Sequence, residues 1–186
     1  DGFVVNDGGT MKTIPATDIP TYVGGGISQA DVWGITGATT ITDAFITSNW
    51  FNATEGGAPL GSALTESSGV FSFPSTGWYL INYQFTMRNA SSNYAFTNLE
   101  CTMHSTEDNS SYDALAMTVA VVPAISSSNV YNSVAQNMII DVTNTTNIKF
   151  KFKITAYAGA GTQEATIHGS TAALFSGFTC VRLADT

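Results

Sequence analysis

His104 and His168 are the two side chains of this chain that ordinarily titrate near neutrality, so general acid–base chemistry would start from one of them. His104 stands just ahead of an acidic pair in His104-Ser105-Thr106-Glu107-Asp108-Asn109-Ser110-Ser111. Proton transfer or a metal is the sharp interpretation of that cluster. A solvated loop is the plain one, and the flanking Ser, Thr and Asn favour it. Other signatures of catalysis are missing. The sequence holds no Gly-x-Ser-x-Gly elbow, no His-x-x-x-His and no Cys-x-x-Cys, and Gly24-Gly25-Gly26 lacks the Lys-Ser/Thr of a phosphate loop. A glycan depolymerase would need two carboxylates paired across a groove, and 14 acidic residues spread through the sequence do not establish that pairing. No Asp/Asn cluster has calcium-ligand spacing, so neither a metal nor a cofactor is expected. The chain reads as a non-enzyme.

Residues suited to binding are easier to find. Lys149, Lys151 and Lys153 carry half of the positive charge, which totals 6 Lys and Arg. Alternation places them on one face of a strand whose other face, Ile148, Phe150, Phe152 and Ile154, belongs to a core. The plain interpretation of the stripe is a solvated face that blunts edge pairing. Trp33, Trp50, Phe51, Tyr94, Tyr112 and Tyr131 lie beside turn-forming residues. Aromatics so placed either plug the ends of a sandwich or stack on a sugar ring or partner surface. Tyr94 and Tyr112, set among Asn-Ser and Ser-Ser sequences, are the candidates for an outward-facing receptor-contact patch.

Composition narrows the class. Apolar residues make up 44% of the 186 and charged residues only 11%, so the surface must be built from Ser, Thr, Asn and Gly. The net charge of −8 argues against nucleic acid, whose phosphates demand clustered Lys and Arg. No apolar run approaches the ~18 residues that span a bilayer, so membrane insertion is not expected, and Asp1-Gly2 does not resemble a signal peptide. Asp1 in place of an initiator Met points to a processed product or a fragment of a longer chain. Cys101 and Cys180 could form one disulfide, but a lone pair makes no scaffold and two buried thiols acting as small hydrophobes are the simpler reading. The sequons at Asn52, Asn89, Asn109 and Asn144 matter only in a secretory pathway.

The elements that must position these residues are strands. Phe3–Val5 and Thr10–Ile14 flank Asn6-Asp7-Gly8-Gly9, a tight-turn sequence, and predict a hairpin. A short helical turn over Ala16–Val23 and a hinge at Gly24-Gly25-Gly26 follow. A boundary there separates a hairpin appendage, residues 1–26, from a main domain, residues 27–186. In the main domain Asp31–Ile35, Thr39–Thr47, Gly69–Pro74, Trp78–Met87, Phe96–Ser105, Leu115–Val122, Val134–Val142, Ile148–Ile154 and Ala172–Leu183 predict a Greek-key sandwich or jelly roll. The strongest, Trp78–Met87, puts Tyr79, Ile81, Tyr83, Phe85 and Met87 on one face.

Two stretches resemble a known family. Gly69-Val70-Phe71-Ser72-Phe73-Pro74-Ser75-Thr76-Gly77-Trp78-Tyr79-Leu80-Ile81-Asn82-Tyr83 is similar to the entry into the central strand of C1q and tumour-necrosis-factor-like domains. Thr171-Ala172-Ala173-Leu174-Phe175-Ser176-Gly177-Phe178 is similar to their closing segment. The resemblance implies an all-β, C1q/TNF-like jelly-roll sandwich that assembles as a homotrimer. It also implies that the Lys149–Lys153 strand lies near the threefold axis, where the lysines could meet acidic residues of a neighbouring subunit. Phe3–Lys12, the Ala-Thr-Asp-Ile-Pro stretch and Ala30-Asp31-Val32-Trp33 resemble segments that precede such domains in structural proteins of marine bacteriophages. The implied function is a virion protein, bound to other virion proteins, whose trimeric knob at the end of a tail fibre or appendage binds a host cell-surface glycan or protein. Capsid decoration as a head fibre, or trimerisation alone, is the alternative. No Gly-x-y repeat is present, so a collagen stalk is not.

Overall fold

A computed structural model describes residues 2–15, 26–54, 59–89, 95–123, 130–158 and 161–186. Every element among them is a strand, and none is a helix long and apolar enough to cross a membrane. The expected helical turn over residues 16–23, the glycines at 24 and 25, and Tyr94 lie outside the described residues.

The first two strands, β1 (Gly2–Asp7) and β2 (Thr10–Pro15), pair as the expected hairpin from Gly2–Pro15 to Asp7–Thr10. Gly8 and Gly9 turn the chain with φ of 59° and 91°, values that L side chains resist, and Asn6 Oδ1 accepts the Gly9 N–H at 2.8 Å.

Two antiparallel sheets form the sandwich. The first runs β4 (Thr39–Ile41), β15 (Ala165–Ile167), β9 (Gly77–Asn89), β16 (Gly177–Ala184), β3 (Ala30–Ile35) and β6 (Trp50–Asn52), with β12 (Tyr131–Val142) also on β9. Because Gln84 pairs with both Ala135 and Gly177, β12 and β16 flank opposite edges of β9. The second sheet runs β11 (Asp113–Val122), β10 (Phe96–Thr106), β13 (Lys149–Ala158), β8 (Val70–Ser72) and β7 (Thr65–Ser67). The short β5 (Ala44–Phe45) and β14 (Gly161–Thr162) add to β13.

Period-two alternation makes the core. Tyr79, Ile81, Tyr83, Phe85 and Met87 of β9 face Phe150, Phe152 and Ile154 of β13, all at most 2% exposed. Rings interlock within and between the sheets: Phe71 lies 5.1 Å from Phe150 in its own sheet, 4.7 Å from Phe178 in the other, and 4.9 Å from Trp50. Burial of each large side chain stabilises by about 1.5–3 kcal/mol. Cys101 and Cys180 are free thiols inside this core, and burial raises both pKa values. Asp31 is fully buried and satisfied by three donors: Trp33 Nε1 at 3.1 Å, Asn52 Nδ2 at 2.6 Å and the Leu64 N–H at 2.6 Å. It pins β3, β6 and the segment before β7 together.

Two strand expectations are corrected. Thr39–Thr47 is not one strand, because Asp43 turns the chain at φ 40° between β4 and β5. The closing strand begins at Gly177 rather than Ala172, since residues 172–176 run as a loop over the first sheet.

Candidate functional site

The lysine stripe takes shape from β13. Its inward residues are fully buried, so Lys149, Lys151 and Lys153 are left on the outer face of the second sheet, each half-buried. Two of them have partners in their own chain. Lys153 Nζ lies 2.8 Å from Asp43 Oδ1, and Thr155 donates to the same oxygen at 2.9 Å. The Lys153 hydrogen bond, followed by that of Thr155, lowers the Asp43 pKa. Lys151 Nζ sits 3.8 Å from the ring centroids of both Phe45 and Tyr112, a cation held between two π faces. Burial lowers its pKa.

Tyr112 is therefore not a free-standing loop aromatic. It is half-buried against Lys151, and burial raises its pKa. Beside it His104, directly across from Lys151 on β10, meets Phe45 edge to face at 5.0 Å. The imidazole is kept below its ordinary pKa chiefly by burial, and its Nδ1 has no hydrogen-bond partner among the described residues.

The acidic pair resolves into two different residues. Asp108 staples the loop between β10 and β11: its carboxylate accepts from Thr106 Oγ1 at 2.9 Å, Ser110 Oγ at 2.7 Å and the Ser110 and Ser111 N–H groups at 2.8 Å each. Those bonds, led by the Ser110 hydroxyl, hold its pKa well below the usual carboxylate range. Its lone pairs are committed to the loop, while Glu107 is exposed beside it. No group of three His, Cys, Asp or Glu suited to a metal occurs among the described residues.

Of the other aromatics singled out in the sequence, Trp33 is 8% exposed in the core, and Trp50 packs on core rings while its indole N–H donates to the Ile46 carbonyl at 3.1 Å. Tyr131 stays 48% exposed.

The most unusual surface is one that the sequence reading passed over. Strand β11 is an edge of the second sheet, and its amphipathicity is inverted. Ala116 and Ala120 face the core, while Leu115, Met117, Val119 and Val121 point outward at 41%, 52%, 53% and 60% exposure. Covering such a contiguous apolar row with another surface would be favourable. The signal was present in the sequence: Leu115–Val122 contains no charged residue. Across the sandwich edge, Ile139 of β12 is also 53% exposed, and Trp78 of β9 is 42% exposed.

Comparison with solved structures matches this geometry to tumour-necrosis-factor-like jelly rolls. Eiger TNF from S. frugiperda superimposes with a TM-score of 0.63 at 15% identity, over 84% of this chain and 93% of that one. Murine APRIL at pH 5.0 gives 0.56 at 14% identity, over 83% and 98%. No family model matches the sequence, and no curated protein matches it. The fold is thus an all-β, TNF-like jelly roll, as the two sequence stretches led one to expect.

Proposed function

We propose that the chain is a non-enzymatic jelly-roll module that assembles as a homotrimer and serves as a virion knob binding the surface of the host cell. The observation that carries the reading is the outward apolar row of β11, which a lone protomer leaves in water. A head-to-tail contact, in which the edge of one protomer covers a different face of the next, closes into a ring when the rotation permits. The exposed Trp78 and Ile139 end of the first sheet is the complementary face. The number three comes from the jelly-roll family resemblance, and the virion setting from the resemblance of Phe3–Lys12 and Ala30-Asp31-Val32-Trp33 to segments of bacteriophage structural proteins. In this reading the assembly rests on the apolar row, while Lys151 and Lys153 have partners in their own chain.

The non-enzymatic reading is supported by the Asp108 carboxylate, which is committed to its own loop, and by His104, whose ring packs on Phe45. Recognition through three weak sites on one knob gains strength by multivalency with no catalytic residue. Binding of the purified assembly to intact host cells tests the cell-surface reading. Saturable binding supports it; tight association with capsids together with indifference to cells transfers the module to capsid decoration.

A further inference from the structure

The hairpin of β1 and β2 forms a sheet of its own. Its two strands pair with each other and with no other strand among the described residues. Phe3, Val4 and Met11 are 61%, 61% and 66% exposed, so the chain's own body leaves them in water. A two-stranded sheet is marginally stable alone and needs a further strand or a packed surface to hold it.

Register assigns these side chains to faces. Residues opposite one another in an antiparallel pair point to the same side, and neighbours along a strand point to opposite sides. Phe3 opposite Ile14, with Val5 opposite Lys12, therefore makes one face. Val4 opposite Thr13, with Met11 opposite Asn6, makes the other. Both faces carry apolar side chains, whereas an antiparallel sheet lying on a single surface turns a polar back to water. Such a ribbon suits a place between two surfaces.

Two apolar faces select the occupant. A single foreign partner would cover one face and leave the other in water. In a closed ring of identical chains every protomer has two neighbours, and a head-to-tail contact sets one face of each ribbon against the opposite face of the next. The connection reaches far enough. Residues 16–25 separate Pro15 from Gly26, and an extended segment of that length spans roughly 36–40 Å, about the width of a domain of this size. Tethering to one ring also raises the local concentration of the other ribbons, so a contact too weak to form between free chains forms within the assembly.

We infer that the hairpins of the assembly stack on one another, with Phe3, Val5 and Ile14 of one copy against Val4 and Met11 of the next. The inference rests on the homotrimer reading and adds to it a second contact surface, which forms once the sandwich bodies have met.

Amide hydrogen exchange of the purified full chain, read by mass spectrometry over residues 2–15, tests this with no other protein present. A synthetic peptide of residues 1–15 is the reference for a hairpin without neighbours. In the parent assembly these amides are expected to exchange at least about tenfold more slowly than in the peptide. Phe3→Asp and Met11→Asp, one on each face, should each return them to the peptide rate while the amides of β9 and β13 stay as protected as in the parent. A parent trimer whose hairpin exchanges like the peptide overturns the inference and leaves the trimer standing. Undiminished protection in either variant overturns it too, since the faces would then carry no contact. A parent found as single protomers removes the trimer, and the stacking with it; protection of the hairpin in that single protomer would give the hairpin to its own body.

Discussion

Strands β11 and β13 lie in the same sheet with β10 between them, and they use alternation in opposite ways. Strand β13 buries Phe150, Phe152 and Ile154 and turns lysines outward, where Asp43, Phe45 and Tyr112 receive them. Strand β11 turns alanines inward and sends Leu115, Met117, Val119 and Val121 out. The first pattern completes itself within one chain. The second leaves apolar area for another chain to cover, and the hydrophobic driving force grows with that area. Charge, which first draws the eye in the sequence, therefore marks the strand whose cations find partners in their own chain, and the uncharged strand is the one that leaves an apolar row in water.

The comparison can be broken most forcefully at Val119. A Val119→Lys substitution puts a charge in the middle of the β11 row and is expected to convert the assembly to single protomers in light scattering while the far-UV β spectrum persists. A variant that keeps the parent mass would remove β11 from the interface. The converse change, Phe152→Ala, attacks the inner face of β13. It should cost about 3–5 kcal/mol in denaturant unfolding, since a buried ring leaves a cavity. A loss under about 1 kcal/mol would mean that the two faces of β13 are less distinct than their burial indicates.

Acid should act on the outer face of β13 next. The folded chain favours neutral His104, flanked by Lys151 and Lys153 on β13, Asp113 on β11 and the Tyr112 backbone. With the folded pKa below the ordinary ~6.5, the stability linked to this group is whole above that value and is lost as pH falls toward the folded one. Thermal midpoints should therefore drop between pH 7.5 and 5, and His104→Gln should flatten the drop; identical profiles for the two proteins would contradict the assignment. The smallest effect belongs to the ion pair. Lys153→Ala should change stability by no more than about 1 kcal/mol, because Lys153 and Asp43 are 30% and 42% exposed, and it should leave the assembly mass unaltered.

The sequence made the sandwich legible where alternation was strong. Tyr79–Met87 and Ile148–Ile154 are sharply two-faced, and both fall on the strands and faces expected. Ala165–Ile167 escaped notice because all three residues are buried and three residues give no period to read. Residues 172–176 looked like a strand because they are apolar, yet Ser176 ties them into a loop instead. The site was less legible. Leu115–Val122 was recognised as a strand, but no local rule says that its alanines face in. Tyr112 was read as outward-facing, and its contact with Lys151 joins residues remote in sequence.

Native mass in solution, followed through serial dilution, bears most directly on the claim that β11 is covered by a sister chain. The expected result is one species of three times the 19.6 kDa protomer mass, persisting to low concentration. A single-protomer species at high concentration, soluble with its β11 row in water, would contradict it.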